Sequence, residues 1–440
     1  MAADKAREGD EEAAAEPLLT PTQDEHSAST GQQDQRRLST DSAERTVPVI
    51  KTPGGSLLQE VQRQGVLAGP LIVNLMLNYS LSIISLSFVG HIGTAALAAA
   101  AMSTTVYSAT GKLVLMGLAG ALDTQASQAF GSGNFAALPV ILQRCVYFLL
   151  LHCAPLTVAF MSVPAVLRAL GQEAQLCNMV AVYTLGLLPS LWLDAINRPL
   201  NRILVAQRIT MPQMCISGIV ALLHLAGNYL FIHVFNFGYR GAAYAMSLAN
   251  LNNLLLTGAY VVLAGKQNRV WGVLTAAAFK DWVPFARLAY PSCLMKCVES
   301  WSFSLMTLVA GLLPDPDSAV AAIAVAFNLY GILFMAFVSV SIAVTVRVGN
   351  ALGAGQAGQA RLAANAAAVS TPLIWAVVAV ILIEPHTQAL LLSVFTNGQD
   401  AELLSRMRRL LYLVVVLELF DGAQTVMQGV IQGSGSPMRQ

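Results

Sequence analysis

Ten apolar stretches follow one another along this chain, at about 66–89, 100–130, 136–162, 175–196, 210–235, 239–264, 285–313, 318–346, 362–383 and 405–432. A helix rises 1.5 Å per residue, so ~20 apolar residues suffice to cross ~30 Å of hydrocarbon. Every one of the ten is long enough. Pro70, Gly120, Pro189 and Pro291 fall inside them, which packed neighbours tolerate in a membrane by satisfying the freed backbone groups. Only 11% of the 440 residues are charged and the mean hydropathy is +0.60, whereas soluble domains carry about 25% charged residues. An ordinary water-soluble enzyme is excluded, and the predicted class is an all-α polytopic membrane protein.

The charges are unevenly placed. Residues 1–65 hold 7 Lys/Arg and 12 Asp/Glu, and the remainder 18 and 12. Residues 1–64 read as a disordered tail, without the apolar core of a cleavable signal peptide. Placing that tail in the cytoplasm puts Arg198, Arg202, Arg208, Lys266, Arg269, Lys280, Arg287, Arg347 and Arg361 in cytoplasmic loops. Arg168, Arg240, Arg406, Arg408 and Arg409 then face the other side, so the Lys/Arg bias favours a cytoplasmic N-terminus. The six cysteines lie in or beside apolar stretches and form no redox or zinc spacing. Nothing in the residues points to a metal, a bound cofactor or nucleic acid.

The chain also repeats itself. Gln128-Ala-Phe-Gly-Ser-Gly-Asn134 recurs as Asn350-Ala-Leu-Gly-Ala-Gly-Gln356, 222 residues on. Gly69-Pro70 recurs as Tyr290-Pro291, and Gly171-Gln-Glu-Ala-Gln-Leu176 as Gly398-Gln-Asp-Ala-Glu-Leu403. Several matches in order at nearly one offset indicate a tandem duplication of a six-helix unit. The predicted layout is an N-lobe at 65–265, a cytoplasmic linker at 266–284 and a C-lobe at 285–440. On this pattern the second bundle is incomplete, with helices 7–10 present and two more expected. Paired bundles with a site near the bilayer midplane are a recurring transporter design.

An ionisable side chain inside a membrane helix needs a partner or water. The helix interiors contain Lys112, Asp123, Asp194, Lys296, Glu299, Glu418 and Asp421. Glu299, about fifteen residues into the seventh span, suits a reversible proton or cation site, the alternative being an ion pair with Lys296 at i,i+3. Glu418 and Asp421 share a face of the tenth span and could share a proton; capping or an interhelical hydrogen bond is the plain alternative. Asp194 lies close to the predicted end of the fourth span, with Arg198 four residues on. Asp123 fits a cavity or polar packing equally. Trp301, Tyr330 and Asn78 could line a cavity, with aromatic packing or an interhelical hydrogen bond as the alternatives. Gly353–Gly358 spells GxGxxG but has no βαβ context.

These residues resemble the multidrug and toxic compound extrusion (MATE) family, in its plant and animal branch. The segments concerned are Val89-Gly-His-Ile-Gly93 with Ala95-Ala-Leu-Ala98, and Ala121-Leu-Asp-Thr-Gln-Ala-Ser-Gln-Ala-Phe-Gly131, which includes Gln128. Pro199–Gln207, Glu299-Ser-Trp-Ser-Phe303, Arg347–Gly355 and Asp421–Gly429 complete the set. The resemblance implies a twelve-helix, two-lobed antiporter that exchanges protons for organic cations, xenobiotics or secondary metabolites, with sodium as the open alternative ion. It implies Glu299 and Asp421 as the coupling acids; a monomer is expected, and the plasma membrane and the vacuolar membrane both stay open. Ser304 stands where the family often has a second acid, Ser300 where it has a tryptophan, and Lys296 adds a charge. Two other readings fit such a chain: a flippase for lipids or lipid-linked oligosaccharides, and a non-transporting membrane receptor or scaffold.

Overall fold

The computed structural model describes residues 55–265, 270, 272–310, 316–393 and 401–435; the predicted tail up to residue 54 lies outside them. The described residues form long helices: α1 (Leu57–Gly90), α2 (Thr94–Gly131), α3 (Ala137–Ala169), α4 (Ala174–Ala206), α5 (Met211–Val234) and α6 (Tyr239–Leu263). After the linker come α7 (Trp282–Ala310), α8 (Pro316–Gly353), α9 (Ala357–Ile383), the short α10 (Pro385–Ser393) and α11 (Ala401–Ser434). Among the described residues nine of them are long and apolar enough to cross a membrane. The remaining predicted span, the seventh, corresponds to the 29-residue α7. Large apolar side chains such as Leu151, Val158, Leu222, Val380 and Leu413 are exposed on the outside, as a lipid-facing surface requires.

Two sequence expectations are corrected. The tail does not run to residue 64: Ser56 caps α1, its hydroxyl accepting from the Gln59 N–H at 3.4 Å while the Gln59 side chain accepts from the Ser56 N–H. That reciprocal capping box starts the helix eight residues early, in polar sequence with no membrane-like hydropathy. Nor does the fourth span end at 196. It continues to Ala206, which puts Asp194 well inside the helix and moves Arg198 and Arg202 from a loop into helical turns.

The repeated motif acquires a physical meaning here. Gly133 and Gly355, its equivalent last glycines, end α2 and α8 with φ of 75° and 70°, the left-handed conformation that favours glycine as a helix stop. Its other glycines allow the repeats to touch. A Cβ on Gly131 would lie 2.1 Å from the Asn350 carbonyl oxygen, and one on Gly353 would lie 2.1 Å from that of Gln128. Those contacts are images of one another, because Gln128 is equivalent to Asn350 and Gly131 to Gly353. Ser127 and Gly349, also equivalent, meet each other: a Cβ on Gly349 would lie 2.0 Å from the Ser127 hydroxyl. A pseudo-two-fold axis therefore passes through this crossing.

Each lobe has its own apolar core, around Leu115, Leu118, Phe148 and Leu191 in the first and Leu329, Phe337, Leu382 and Leu411 in the second. A third cluster joins them: Leu67 and Ala68 of α1 pack with Val340, Ala343, Val344 and Val348 of α8. The linker lies along the start of α3, with Tyr147 stacked on Phe279 at 4.8 Å and Arg144 paired to Asp281 at 3.3 Å.

Candidate functional site

The C-lobe gathers acids from α7 and α11. Lys296 donates to Glu299 at 3.0 Å and to the Gln428 side-chain oxygen at 3.2 Å, because two residues three apart on one helix face and a glutamine on the facing helix converge there. Tyr330 of α8 donates to Asp421, its ring held between Phe303 (5.0 Å) and Phe334 (5.1 Å). Gln428 and Asp421 both belong to α11 and Phe303 belongs to α7, so these contacts join α7, α8 and α11 in one cluster. Glu418 is fully buried, and neither carboxyl oxygen has a partner.

Several sequence candidates fall together and several do not. Glu299, Lys296, Asp421 and Tyr330 converge. Glu418 shares their neighbourhood, but among the described residues it makes no hydrogen bond to Asp421, so the pair expected to share a proton directly is not formed. Trp301 is half-exposed, at 51%, and among the described residues has no ring or hydrogen-bond contact. Phe303, two residues later and so on another helix face, takes the aromatic place beside Tyr330.

In the N-lobe, Asp194 pairs with Arg198 one turn on, both side chains 14% exposed, the alternative that the i,i+4 spacing offered. Asp123 pairs with Arg202 of α4 and accepts from Gln432 of α11 at 3.2 Å. Gln128 donates to the Gly433 carbonyl at 3.2 Å, and Thr124 to that of Gln432 at 2.6 Å. Asp123 and Gln128 thus sit where the lobes meet. Asn78 bonds Asn74 (3.0 Å) and Ser217 of α5 (3.1 Å), which is packing within the N-lobe.

A small hollow of about 30 Å³ opens between α2, α7 and α11, lined by Thr124, Ser292, Met295, Gln428 and Gln432 among others. Gln428 connects it to Lys296. At the end of the bundle carrying the start of α1, the lobes are locked by charge. Arg347 of α8 donates from Nε and Nη2 to the two oxygens of Glu60 at 2.6 and 2.5 Å, with both side chains at most 5% exposed. Gln64 adds a bond to the Ala363 carbonyl at 2.7 Å. In the adjoining loop, burial and then the charge of Arg347 bring the Arg208 guanidinium down to about 10, with Glu60 acting the other way. The residues alone did not single out the Glu60–Arg347 pair, since Glu60 read as tail; the capping pattern Ser56-x-x-Gln59 was the available signal.

Comparison with known proteins agrees with this architecture. The family model MatE matches residues 70–230 and 291–440, one segment in each half of the duplication. Protein DETOXIFICATION 17 of Arabidopsis thaliana is 32% identical over 377 residues, covering 86% of this chain and 78% of its own length. Multidrug and toxin extrusion protein 1 of Danio rerio is 31% identical over 372 residues, covering 84% and 62%. The crystal structure of the eukaryotic MATE transporter AtDTX14 superposes with a TM-score of 0.80 at 28% identity, covering 87% of this chain and 84% of that one. Family model, sequence relatives and superposed structure all converge on one assignment: this chain is a multi-pass integral membrane protein of the MATE family, whose members are secondary transporters and not enzymes.

Proposed function

We propose that the chain exports organic cations in exchange for protons by alternating access, with its N-terminus in the cytoplasm. The observation behind this reading is an acid-rich region of the C-lobe interior: among the described residues there, Glu299, Glu418 and Asp421 stand against one cation, Lys296. Ionised, the four groups leave an excess of two negative charges within the membrane, which attracts either protons or an organic cation. Binding one weakens binding of the other, and that competition is the coupling. The buried, unpartnered oxygens of Glu418 carry a large desolvation cost when charged, so a proton there relieves it. A ligand shifts the two openings only by its differential affinity for them. Lys296, bridging Glu299 and Gln428, relays the state of the acids to the wall of the hollow.

The test is accumulation of a cationic dye in proteoliposomes with an acidic interior. Wild type is expected to concentrate the dye with or without sodium. Glu299→Gln and Asp421→Asn each remove one titrating group and keep the shape, and each is expected to lower gradient-driven uptake at least about tenfold, the size of a lost charge-assisted contact. Undiminished uptake in both variants overturns the coupling role, and uptake that requires sodium overturns the choice of ion.

A further inference from the structure

We infer that the Lys112 ammonium of the N-lobe is the recognition point for the acidic group of zwitterionic substrates. This rests on the transport reading above and deepens it.

Lys112 stands at the centre of α2, eighteen residues after Thr94 and nineteen before Gly131. No solvated helix end is within its reach, so a charge there needs a reason. It closes the π-helical turn Tyr107–Lys112, a local widening of the helix often found at functional sites. The turn is pinned on its inner side, where Gly111 lies against Phe160 and Leu191 and Tyr107 stacks on Phe160 at 6.1 Å. Among the described residues the Lys112 ammonium makes no hydrogen bond or ion pair, and its side chain is exposed. The turn packs against both α4 of the N-lobe and α7 of the C-lobe.

The neighbouring acids are already taken. Asp194 is held by Arg198 and Asp123 by Arg202, so the N-lobe interior carries one excess positive charge, on Lys112. The C-lobe interior carries the opposite excess. Depth relates the two. Gly117 of α2 packs on the backbone of Cys293 of α7, where a Cβ would come within 2.5 Å of the Cys293 Cα. The helices run in opposite directions, so Lys112 lies about 7.5 Å and Glu299 about 9 Å beyond that crossing, at 1.5 Å per residue. The free ammonium and the acid cluster therefore stand at one depth on different lobes. A molecule with an ammonium and a carboxylate matches both walls, whereas a simple cation uses only one.

Tetramethylrhodamine, a zwitterion, and its methyl ester, a cation of nearly the same shape, separate the possibilities. Fluorescence anisotropy with the purified full chain measures the affinity ratio of the two dyes. Lys112→Met is expected to weaken binding of the zwitterion about tenfold or more and to change binding of the ester less than about twofold, as loss of one charge-assisted hydrogen bond predicts. Lys112→Arg, which keeps the charge, is expected to retain the wild-type ratio, so a folding defect is told apart from loss of the ammonium. A ratio unchanged in Lys112→Met, or no binding of the zwitterion by wild type, overturns the inference. Uptake into acid-loaded vesicles is read separately: dyes that bind with the expected ratio and accumulate in no gradient overturn the antiport reading alone.

Discussion

Glu60→Ala is expected to open the end of the bundle at which α1 begins. Removing one partner of a buried ion pair costs about 3–5 kcal/mol, because the remaining charge is stranded. Arg347 would be that stranded charge, 5% exposed and bonded through two nitrogens. Arg63, at 3.5 Å from Glu60, would lose that contact as well. The lobes meet here, so the cheapest relief is for them to part and let water reach Arg347. Spin labels on the exposed Asn134→Cys and Ala357→Cys, with the exposed Cys215 replaced by serine, measure the separation of the α2 and α9 ends. A shift of the distance distribution to longer values is expected in Glu60→Ala. The double variant Glu60→Met with Arg347→Met, which buries apolar groups of similar length, is expected to restore much of the short population. A distribution unchanged by Glu60→Ala would show that the pair does not hold the lobes together.

The second large effect concerns the glycines at the pseudo-two-fold crossing. In Gly131→Ala or Gly353→Ala the added methyl meets a backbone oxygen 2.1 Å away, so the helices must separate by about 1 Å or more. Overpacking typically costs about 1–3 kcal/mol, and a carbonyl of a packed helix yields less readily than a side chain. Both variants are expected to fold, since each lobe has a separate core, but to lose at least about tenfold in dye uptake and to show the same lengthened label distance. Gly331→Ala and Gly258→Ala are the controls, because a methyl added at either has no atom within 4 Å to meet; near wild-type uptake is expected there. Equal loss in all four variants would remove the crossing from the mechanism.

Much of the site was legible where spacing on one helix decides contact. Lys296 and Glu299 at i,i+3, and Asp194 and Arg198 at i,i+4, meet as their spacing predicts. Pairs distant in sequence were not legible: Arg202 finds Asp123 seventy-nine residues away, and Arg347 finds Glu60 at 287. Trp301 and Phe303 shared one signature in the sequence. Two residues along a helix turn the side chain through about 200°, so only one of them can reach Tyr330.

The order of elements, the membrane class and the duplication were determined by the sequence alone, because hydrocarbon forces every buried backbone group into a helix and a repeated glycine motif leaves a visible offset. Which charges distant in sequence neutralise one another was decided only by the tertiary structure. Ion pairing depends on which helix faces meet across the bundle, and that follows from close approach at Gly117, Gly131 and Gly353. It leaves Lys112 and Glu418 without partners among the described residues, while near neighbours in sequence are paired.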